Sequence, residues 1–231
     1  LEEHLQQGVV ADPLRVVDHL DGLGVPGAAA ADLLVGRVRG VAALVPDGIR
    51  EAVLLRTARL ASGERRLLET AAVAGQEFDI DPVLAVCGLP AWPDGFTGAG
   101  LLTEVRDGRA AFRHSLTHEA AYADIGWSRR RDLHRELART LAADGAVPAL
   151  IAMHQLAARD FEAAREALIA AADAHCAVHA YRDAARALRT VLEHWPADAD
   201  DDGRLAVVGR LARCAEMCSE YAEAVTLLRE L

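Results

Sequence analysis

The sequence contains no lysine and no asparagine among its 231 residues, and all 25 basic residues are arginine. A phosphate-binding loop of the Walker type needs a lysine to reach the β- and γ-phosphates of a nucleotide. Schiff-base catalysis likewise needs a lysine amine. These absences exclude ATP hydrolysis through a P-loop in this chain, and we expect the chain not to be an enzyme.

Aromatic residues are scarce, at 4%, and no apolar run approaches the roughly 18–20 residues of a membrane-spanning helix. No charged-then-apolar leader precedes the first residues. Alanine, leucine and arginine, which are strong helix formers, recur throughout, and 52% of the chain is hydrophobic, enough to bury a core. We therefore expect a mostly α-helical, cytoplasmic protein without a membrane contact.

The charge balance argues against nucleic-acid binding. The net charge is −10, and residues 62–115 carry five arginines against eight carboxylates, a net charge of −3. Contacts to phosphates supply much of the affinity of a protein for DNA, and an acidic surface opposes them. The four cysteines form no Cys-x-x-Cys pair, so we expect buried free thiols rather than a metal or redox site.

The stretch RHSLTHEAAYADI, residues 113–125, comes close to a zinc-protease motif. Such a motif places a second histidine three residues after His-Glu, but Tyr122 follows His118 and Glu119 at that spacing. We place His114 at the end of a strand, half-buried beside Phe112, and His118 on the inner face of the next helix. We therefore reject a hydrolase using these groups and predict neither catalytic nor metal-binding residues.

Residues 62–125 change from helical to β patterning and form the second of three predicted domains. Two capped helices and a weak third segment precede LLTEVRDGRAAFRH, in which Asp107-Gly108 suits a two-residue turn. That turn predicts a register with Arg106 opposite Arg109, and then three further pairs: Val105 with Ala110, Thr103 with Phe112, and Leu101 with His114. Helices followed by a hairpin predict a small winged-helix domain.

Residues 126–231 are predicted to be helical throughout. The motif Tyr181-x-x-Ala184 recurs as Tyr221-x-x-Ala224, an offset of 40 residues that includes the acidic linker ADADDDG. A tetratricopeptide repeat is about 34 residues long, and the linker accounts for the excess. We predict antiparallel helical hairpins of the tetratricopeptide type, with a generic helical bundle as the alternative.

The order of AAVAGQEFD, GLL, FRH and HEAAY within residues 46–231 resembles the large LuxR-type transcriptional regulators, which belong to the signal-transduction ATPases with numerous domains. LEEHLQQGVV at the start resembles the end of the lid of their nucleotide-binding domain. We therefore expect residues 1–61 to be the helical remnant of an upstream ATPase lid domain, and the chain to be a fragment of a longer protein.

In that family a P-loop ATPase binds ATP, a winged helix braces it, helical repeats sense an inducer, and a C-terminal helix-turn-helix contacts promoters. Neither end domain is present in this sequence. The resemblance implies a non-catalytic regulatory fragment with no cofactor of its own, ATP being expected in the parent's missing domain. The implied partners are the parent's own ATPase domain and a protein or small-molecule inducer on the repeats, without direct DNA contact.

Five residues are candidates for interaction: Arg129, Arg130 and Arg131 at the start of a helix, together with His114 and His118. The three arginines form a compact basic cluster in an acidic chain. The alternative function is that of a free-standing tetratricopeptide-like adaptor for protein–protein interaction. A Gly-x-x-x-x-Gly-Lys-Ser/Thr sequence encoded upstream would favour the regulator over the adaptor.

Overall fold

The structure, a computed structural model, describes residues 47–94, 96–106, 108–196 and 201–231. The predictions made for residues 1–46 lie outside this part of the chain, as do Asp107 of the predicted turn and most of the acidic linker. Within the described residues the protein is mostly α-helical, as expected, and carries one small antiparallel sheet of three strands.

The first half of the described chain mixes helices and strands, which are α1 (Asp47–Thr57), α2 (Ser62–Ala74), β1 (Glu77–Asp79), α3 (Ile80–Cys87), β2 (Leu102–Arg106), β3 (Arg109–Phe112) and α4 (Ser115–Asp124). The second half is helical, with α5 (Trp127–Ala143), α6 (Pro148–Ala157), α7 (Phe161–Ala177), α8 (Tyr181–Glu193), α9 (Asp201–Met217) and α10 (Tyr221–Leu228).

One hydrophobic core joins α1 to α5 with the sheet. Leu67 and Leu68 of α2 pack there with Phe112 of β3 and with Leu133 of α5. Helix α2 begins at Ser62, where the carboxylate of Glu64 accepts the backbone N–H of Ala61 at 2.9 Å. Val53 of α1 belongs to the same core. The core therefore includes residues that precede and residues that follow the predicted domain of residues 62–125.

The sheet has the strand order β1-β3-β2, and both pairings are antiparallel. Arg106 pairs with Arg109, as the sequence predicted, but the next pairs are Glu104 with Ala110 and Leu102 with Phe112 because a bulge interrupts β2. The predicted register beyond the turn is therefore wrong by one residue. An extra residue in one strand moves the following side chains to the opposite face, which is why Leu102 is buried in the core.

Two further predictions for this region need correction. His114 is exposed rather than half-buried, because the chain leaves the sheet at Phe112 and the residue serves as the N-cap position of α4. The weak third helix of the sequence is absent from the described residues between α3 and β2. There, Trp92 donates its indole N–H to the carbonyl of Phe96 at 3.1 Å, and turns at Gly98 and Gly100 lead into β2.

Helices α5 to α10 pack in chain order, each against the next. A second core runs through α6 to α10 and includes Leu188 and Leu211. Ion pairs also link alternate helices. The guanidinium of Arg189 on α8 binds both carboxylate oxygens of Glu223 on α10, and this hydrogen bonding lowers the pKa of Glu223. The result is a layered stack of antiparallel helices.

Three of the turns in this stack share one geometry. Arg159, His179 and Ser219 each adopt a positive φ of 56° to 64° just after a helix. In each case the next backbone N–H bonds the carbonyl five residues back, the Schellman arrangement that ends many helices. An aromatic residue and, three positions later, a buried alanine follow each turn, so Phe161-x-x-Ala164 is a third copy of the predicted motif.

The shared turn geometry predicts the effect of glycine at Ser219. A left-handed backbone costs a non-glycine residue roughly 1–2 kcal/mol, and the Ser219 side chain is exposed. We expect Ser219→Gly to raise the free energy of unfolding by about 0.5–1 kcal/mol, as measured by urea denaturation.

The control is Ala170→Gly, an exposed position in the middle of α7, which should lower the free energy of unfolding by about 1 kcal/mol. If both variants are destabilised to the same extent, the left-handed geometry at residue 219 is refuted.

Candidate functional site

Helix α5 lies between the two cores and belongs to both parts of the molecule. Leu133 and Leu137 are almost fully buried in the first core, where α5 packs on α2 and α3. Its other side packs on α6, the first partner in the helical stack. We define the junction as α5 together with the residues of α2, α4 and α6 that contact it.

A chain of polar side chains, half-buried at Tyr122 and buried at its two histidines, crosses the junction. The hydroxyl of Tyr122 on α4 lies 3.0 Å from Nε2 of His134 on α5. The Nδ1 atom of His134 in turn lies 2.9 Å from Nδ1 of His154 on α6. Both histidines are buried, with 4% and 1% of their surface exposed. Hydrogen bonds made in such an enclosed place are costly to break, because the groups left behind cannot find water.

The geometry allows two arrangements of protons in this chain. A neutral histidine carries one N–H, so its two ring nitrogens are one donor and one acceptor. Either Tyr122 donates to His134, which donates to His154, or the whole direction is reversed. The donor state of the imidazole on α6 is thus linked, through α5, to that of the phenol on α4.

Burial keeps these groups uncharged. It lowers the pKa of His154 to about 4 and moves the pKa of His134 well below its ordinary value, with His154 and the guanidinium of Arg130 adding to the effect on His134. Burial likewise raises the pKa of Tyr122, although Arg130 opposes this shift. The guanidinium of Arg130 lies 5.0 Å from the centre of the Tyr122 ring, so one cation borders an otherwise neutral network.

His118 extends the line of rings toward the sheet. Its ring packs edge-on against Phe112, with 5.1 Å between centroids, and its Nε2–H donates to the carbonyl of Ala72 at 2.8 Å. Burial lowers the pKa of His118 to about 4, and the hydrogen bond to Ala72 partly offsets that shift. The aromatic line therefore runs from β3 through α4 and α5 to α6.

Charged pairs join the outer sides of α2 and α5. Arg66 binds Glu136 at 3.2 Å, and Arg129 binds Glu69 at 3.2 Å. The pairing order is opposite on the two helices, so α2 and α5 run antiparallel across this contact. Partly exposed ion pairs of this kind contribute about 0.2–1 kcal/mol each, which favours one orientation of the helices more than it stabilises the fold.

The predicted arginine cluster lies within the junction, and each member contacts another part of the chain. Arg129 reaches α2, and Arg130 covers Tyr122. Arg131 donates to the carbonyl of Ala158 at 2.9 Å, just after α6, and also stacks on Trp127 at 4.8 Å. These contacts hold α5 to three other helices. A role for the cluster in binding an external partner stays a prediction.

Of the two predicted histidines, the structure places His118 against Tyr122, next to the junction, while His114 lies at the surface. His134 and His154 were missed because the sequence places them on separate helices, 20 residues apart. The sequence did carry a signal, because each histidine interrupts an apolar helix face. His134 lies between Leu133 and Leu137, and His154 follows Met153. Within the described ranges, no group of three or more histidine, cysteine and acidic side chains is placed to hold a metal ion.

A small cavity of about 130 Å³ borders the junction, lined by residues that include Arg65, Leu68 and Glu69 of α2 and Ala121, Asp124 and Ile125 near the end of α4. Pockets that enclose organic ligands are usually roughly 300 Å³ or larger. The cavity suits a few waters better than an inducer molecule.

Two histidines, the buried His154 and the half-buried His118, predict a loss of stability in mild acid. His118 and His154 have folded-state pKa values of about 4, below the unfolded value of 6.5, so the unfolded chain binds more protons between these limits. Their stabilising contribution is complete above pH 6.5 and falls as the pH decreases toward 4. We expect the free energy of unfolding to decrease by about 1.4 kcal/mol per pH unit for each such histidine.

Urea denaturation of His154→Gln between pH 7.5 and 5 tests this expectation, because the amide can still hydrogen-bond but cannot titrate. The variant should be less stable at pH 7.5 and should show a shallower pH dependence. Leu137→Ala, an equally buried position on α5, should lose stability without a change of slope. If the free energy of unfolding changes equally with pH in His154→Gln and in the unaltered protein, the lowered pKa of His154 is contradicted.

Comparisons of the chain with models of protein families, with curated proteins and with solved structures give no match. Among the described residues, no helix is both long enough and apolar enough to cross a membrane.

Proposed function

We propose that the chain is the regulatory middle of a signal-transduction ATPase of the LuxR type. In this proposal, residues 62–125 form a winged-helix domain and residues 126–231 form tetratricopeptide-like repeats that bind an inducer or a protein. The chain has no catalytic site and controls the ATPase of the parent protein. The observation that carries the proposal is the junction, where one helix is shared between a sheet-bearing unit and a stack of helical hairpins.

The order of elements supports the winged-helix part. Two helices, α2 and α3, enclose the short strand β1, and a hairpin then adds β3 and β2 to give the order β1-β3-β2. A DNA-reading domain of this type inserts a helix into the major groove, and the described residues between α3 and β2 form none. Arg109 on β3 pairs with Glu77 and Asp79, which neutralises it. We therefore propose a bracing role rather than a DNA-binding one.

The stack supports the repeat part. The aromatic-x-x-alanine motif follows the same left-handed turn at residues 159, 179 and 219, so a similar local unit recurs along the chain. Repeat proteins build extended binding surfaces from units of this kind. The outward surface of the stack is the place where we expect an inducer or a protein partner to bind.

The mechanism that we propose is a shift between two arrangements of the junction. A ligand changes an equilibrium only when it binds one state better than the other. An inducer that alters the packing of α6 on α5 would change the environment of His154 and, through His134, that of Tyr122 on α4. The winged-helix unit would then brace the ATPase domain less tightly.

An adaptor without an ATPase is the alternative function. It is favoured by an exposed apolar stripe on α10, formed by Tyr221, Val225 and Leu228, at the spacing of one helical face. In an adaptor this stripe is the first surface to test for a protein partner. The two proposals differ in whether the same gene also encodes an ATPase domain before this chain.

Determining the DNA sequence that flanks the coding region tests the choice. We expect an upstream frame that encodes Gly-x-x-x-x-Gly-Lys-Ser/Thr and a downstream helix-turn-helix. An authentic start codon immediately before Leu1 would contradict the regulator and support the adaptor.

With the parent protein in hand, the junction itself can be tested. Tyr122→Phe removes only the hydroxyl that bonds His134, and we expect it to increase nucleotide release from the ATPase domain on the order of fivefold, the scale of a typical coupling energy. Arg135→Ala is the control, because Arg135 pairs only with Asp132 on its own helix among the ion pairs of the described chain. Equal release rates in both variants and the unaltered parent would refute the mechanism.

A further inference from the structure

Two cysteine thiols from different helices touch inside the helical stack. Cys176 lies near the end of α7 and Cys214 near the end of α9, and their Sγ atoms are 3.8 Å apart. Cys214 is buried, whereas Cys176 is half-buried and thus more open to solvent. Both are free thiols in the structure. The contact joins residues that are 38 positions apart in the sequence.

A second contact shows that the helices themselves, and not a single side-chain rotamer, bring the thiols together. Arg210 on α9 forms an ion pair with Asp173 on α7. This pair comes about one turn before the cysteines on both helices, and its offset of 37 residues almost equals that of the thiols. Helices α7 and α9 therefore run in the same direction at this level.

The separation of the thiols is suited to covalent bond formation. The two sulfur atoms of a disulfide lie about 2.05 Å apart, with Cβ atoms roughly 3.5–4.5 Å apart. Sulfur atoms already in contact at 3.8 Å need to approach by less than 2 Å. Rotation of the two side chains together with a small shift of the helices would supply this movement.

We propose that Cys176 and Cys214 form an oxidation site that closes to a disulfide between α7 and α9 when the protein meets a peroxide. The Cys176 thiol loses its proton and the thiolate attacks hydrogen peroxide; the O–O bond breaks, one oxygen stays on sulfur as sulfenic acid, and the other leaves as hydroxide, which takes up the released proton to give water. The Cys214 sulfur then attacks the oxidised sulfur. The S–O bond breaks, the S–S bond forms, and the oxygen leaves with the thiol proton as a second water.

The environment assigns the order of these steps. Cys176 is the more accessible thiol and meets the peroxide first. Burial and the neighbouring Cys176 thiol raise the pKa of Cys214 to about 12, so Cys214 is a poor first nucleophile. In the second step the contact with Cys176 offsets the weak nucleophilicity of Cys214. Two groups already held in contact react without the entropy cost of bringing them together. We expect the overall reaction to be slow, over minutes to hours.

The disulfide would fix the spacing of successive hairpins. Helix α7 begins one hairpin and α9 begins the next, so the bond would link two layers of the stack and close a loop that contains α8. A cross-link of this kind restricts the unfolded chain and stabilises the folded one. The proposal depends on the helical stack alone and is independent of the function proposed above.

Peptide mapping of the full chain without reductant tests the proposal. Trypsin gives residues 166–182 with Cys176, and residues 214–229 with both Cys214 and Cys218. A glutamate-specific protease then cuts after Glu216 and separates these two cysteines. After hydrogen peroxide treatment, we expect a cross-linked pair of peptides that contains Cys176 and Cys214 and is two hydrogens lighter than their sum. The thermal midpoint should rise by about 5 °C and return on reduction.

The variants give a matched set. Cys176→Ser and Cys214→Ser should each abolish the cross-link and the thermal shift, whereas Cys218→Ser and Cys87→Ser should retain both. Because the map of the unaltered protein needs no variant, a folding defect of Cys214→Ser does not affect the conclusion. A link through Cys218, a link between two molecules, or oxidation to sulfinic acid without a cross-link would each overturn the proposal.

Discussion

The structure depends on the two-sided packing of α5. One side of this helix completes the core around α2 and the sheet through Leu133 and Leu137, and the other begins the helical stack. Apolar burial alone would hold each side but would tolerate small rotations, because hydrophobic contacts are not directional. The hydrogen bonds of His134 to Tyr122 and His154 define one orientation, since rotation would leave buried polar atoms without partners.

Charge and aromatic contacts at the surface of the junction act in the same direction. The ion pairs Arg66–Glu136 and Arg129–Glu69 favour the antiparallel arrangement of α2 and α5. The bond from Arg131 to the carbonyl of Ala158 attaches the start of α5 to the end of α6. Each is worth little by itself, but together they attach α5 to α2 and to the end of α6. Tyr122 on α4, His134 on α5 and His154 on α6 form one hydrogen-bonded series across the junction.

The predictions from sequence succeeded where local rules decide the outcome. Helix-forming composition indicated the mostly helical fold, and the glycine at residue 108 marked the hairpin. The register failed because the bulge in β2 depends on burying Leu102 against helices distant in sequence. His114 was misplaced because β3 ends at Phe112 and the chain then enters α4. The third copy of the repeat motif was missed since it carries Phe161 where the other two carry tyrosine. The partners of His134 come from α4 and α6, so only the packed structure could identify the junction.

A double-mutant cycle between Tyr122→Phe and His154→Gln tests the central claim most directly. The two side chains each bond His134, and residues that share a partner in this way usually show coupling energies of about 0.5–3 kcal/mol in unfolding experiments. We expect a value in that range at pH 7.5, and one within about 0.3 kcal/mol of zero for Tyr122→Phe combined with Leu227→Ala on α10. Additive effects of Tyr122→Phe and His154→Gln would show that α5 does not couple the two parts of the molecule.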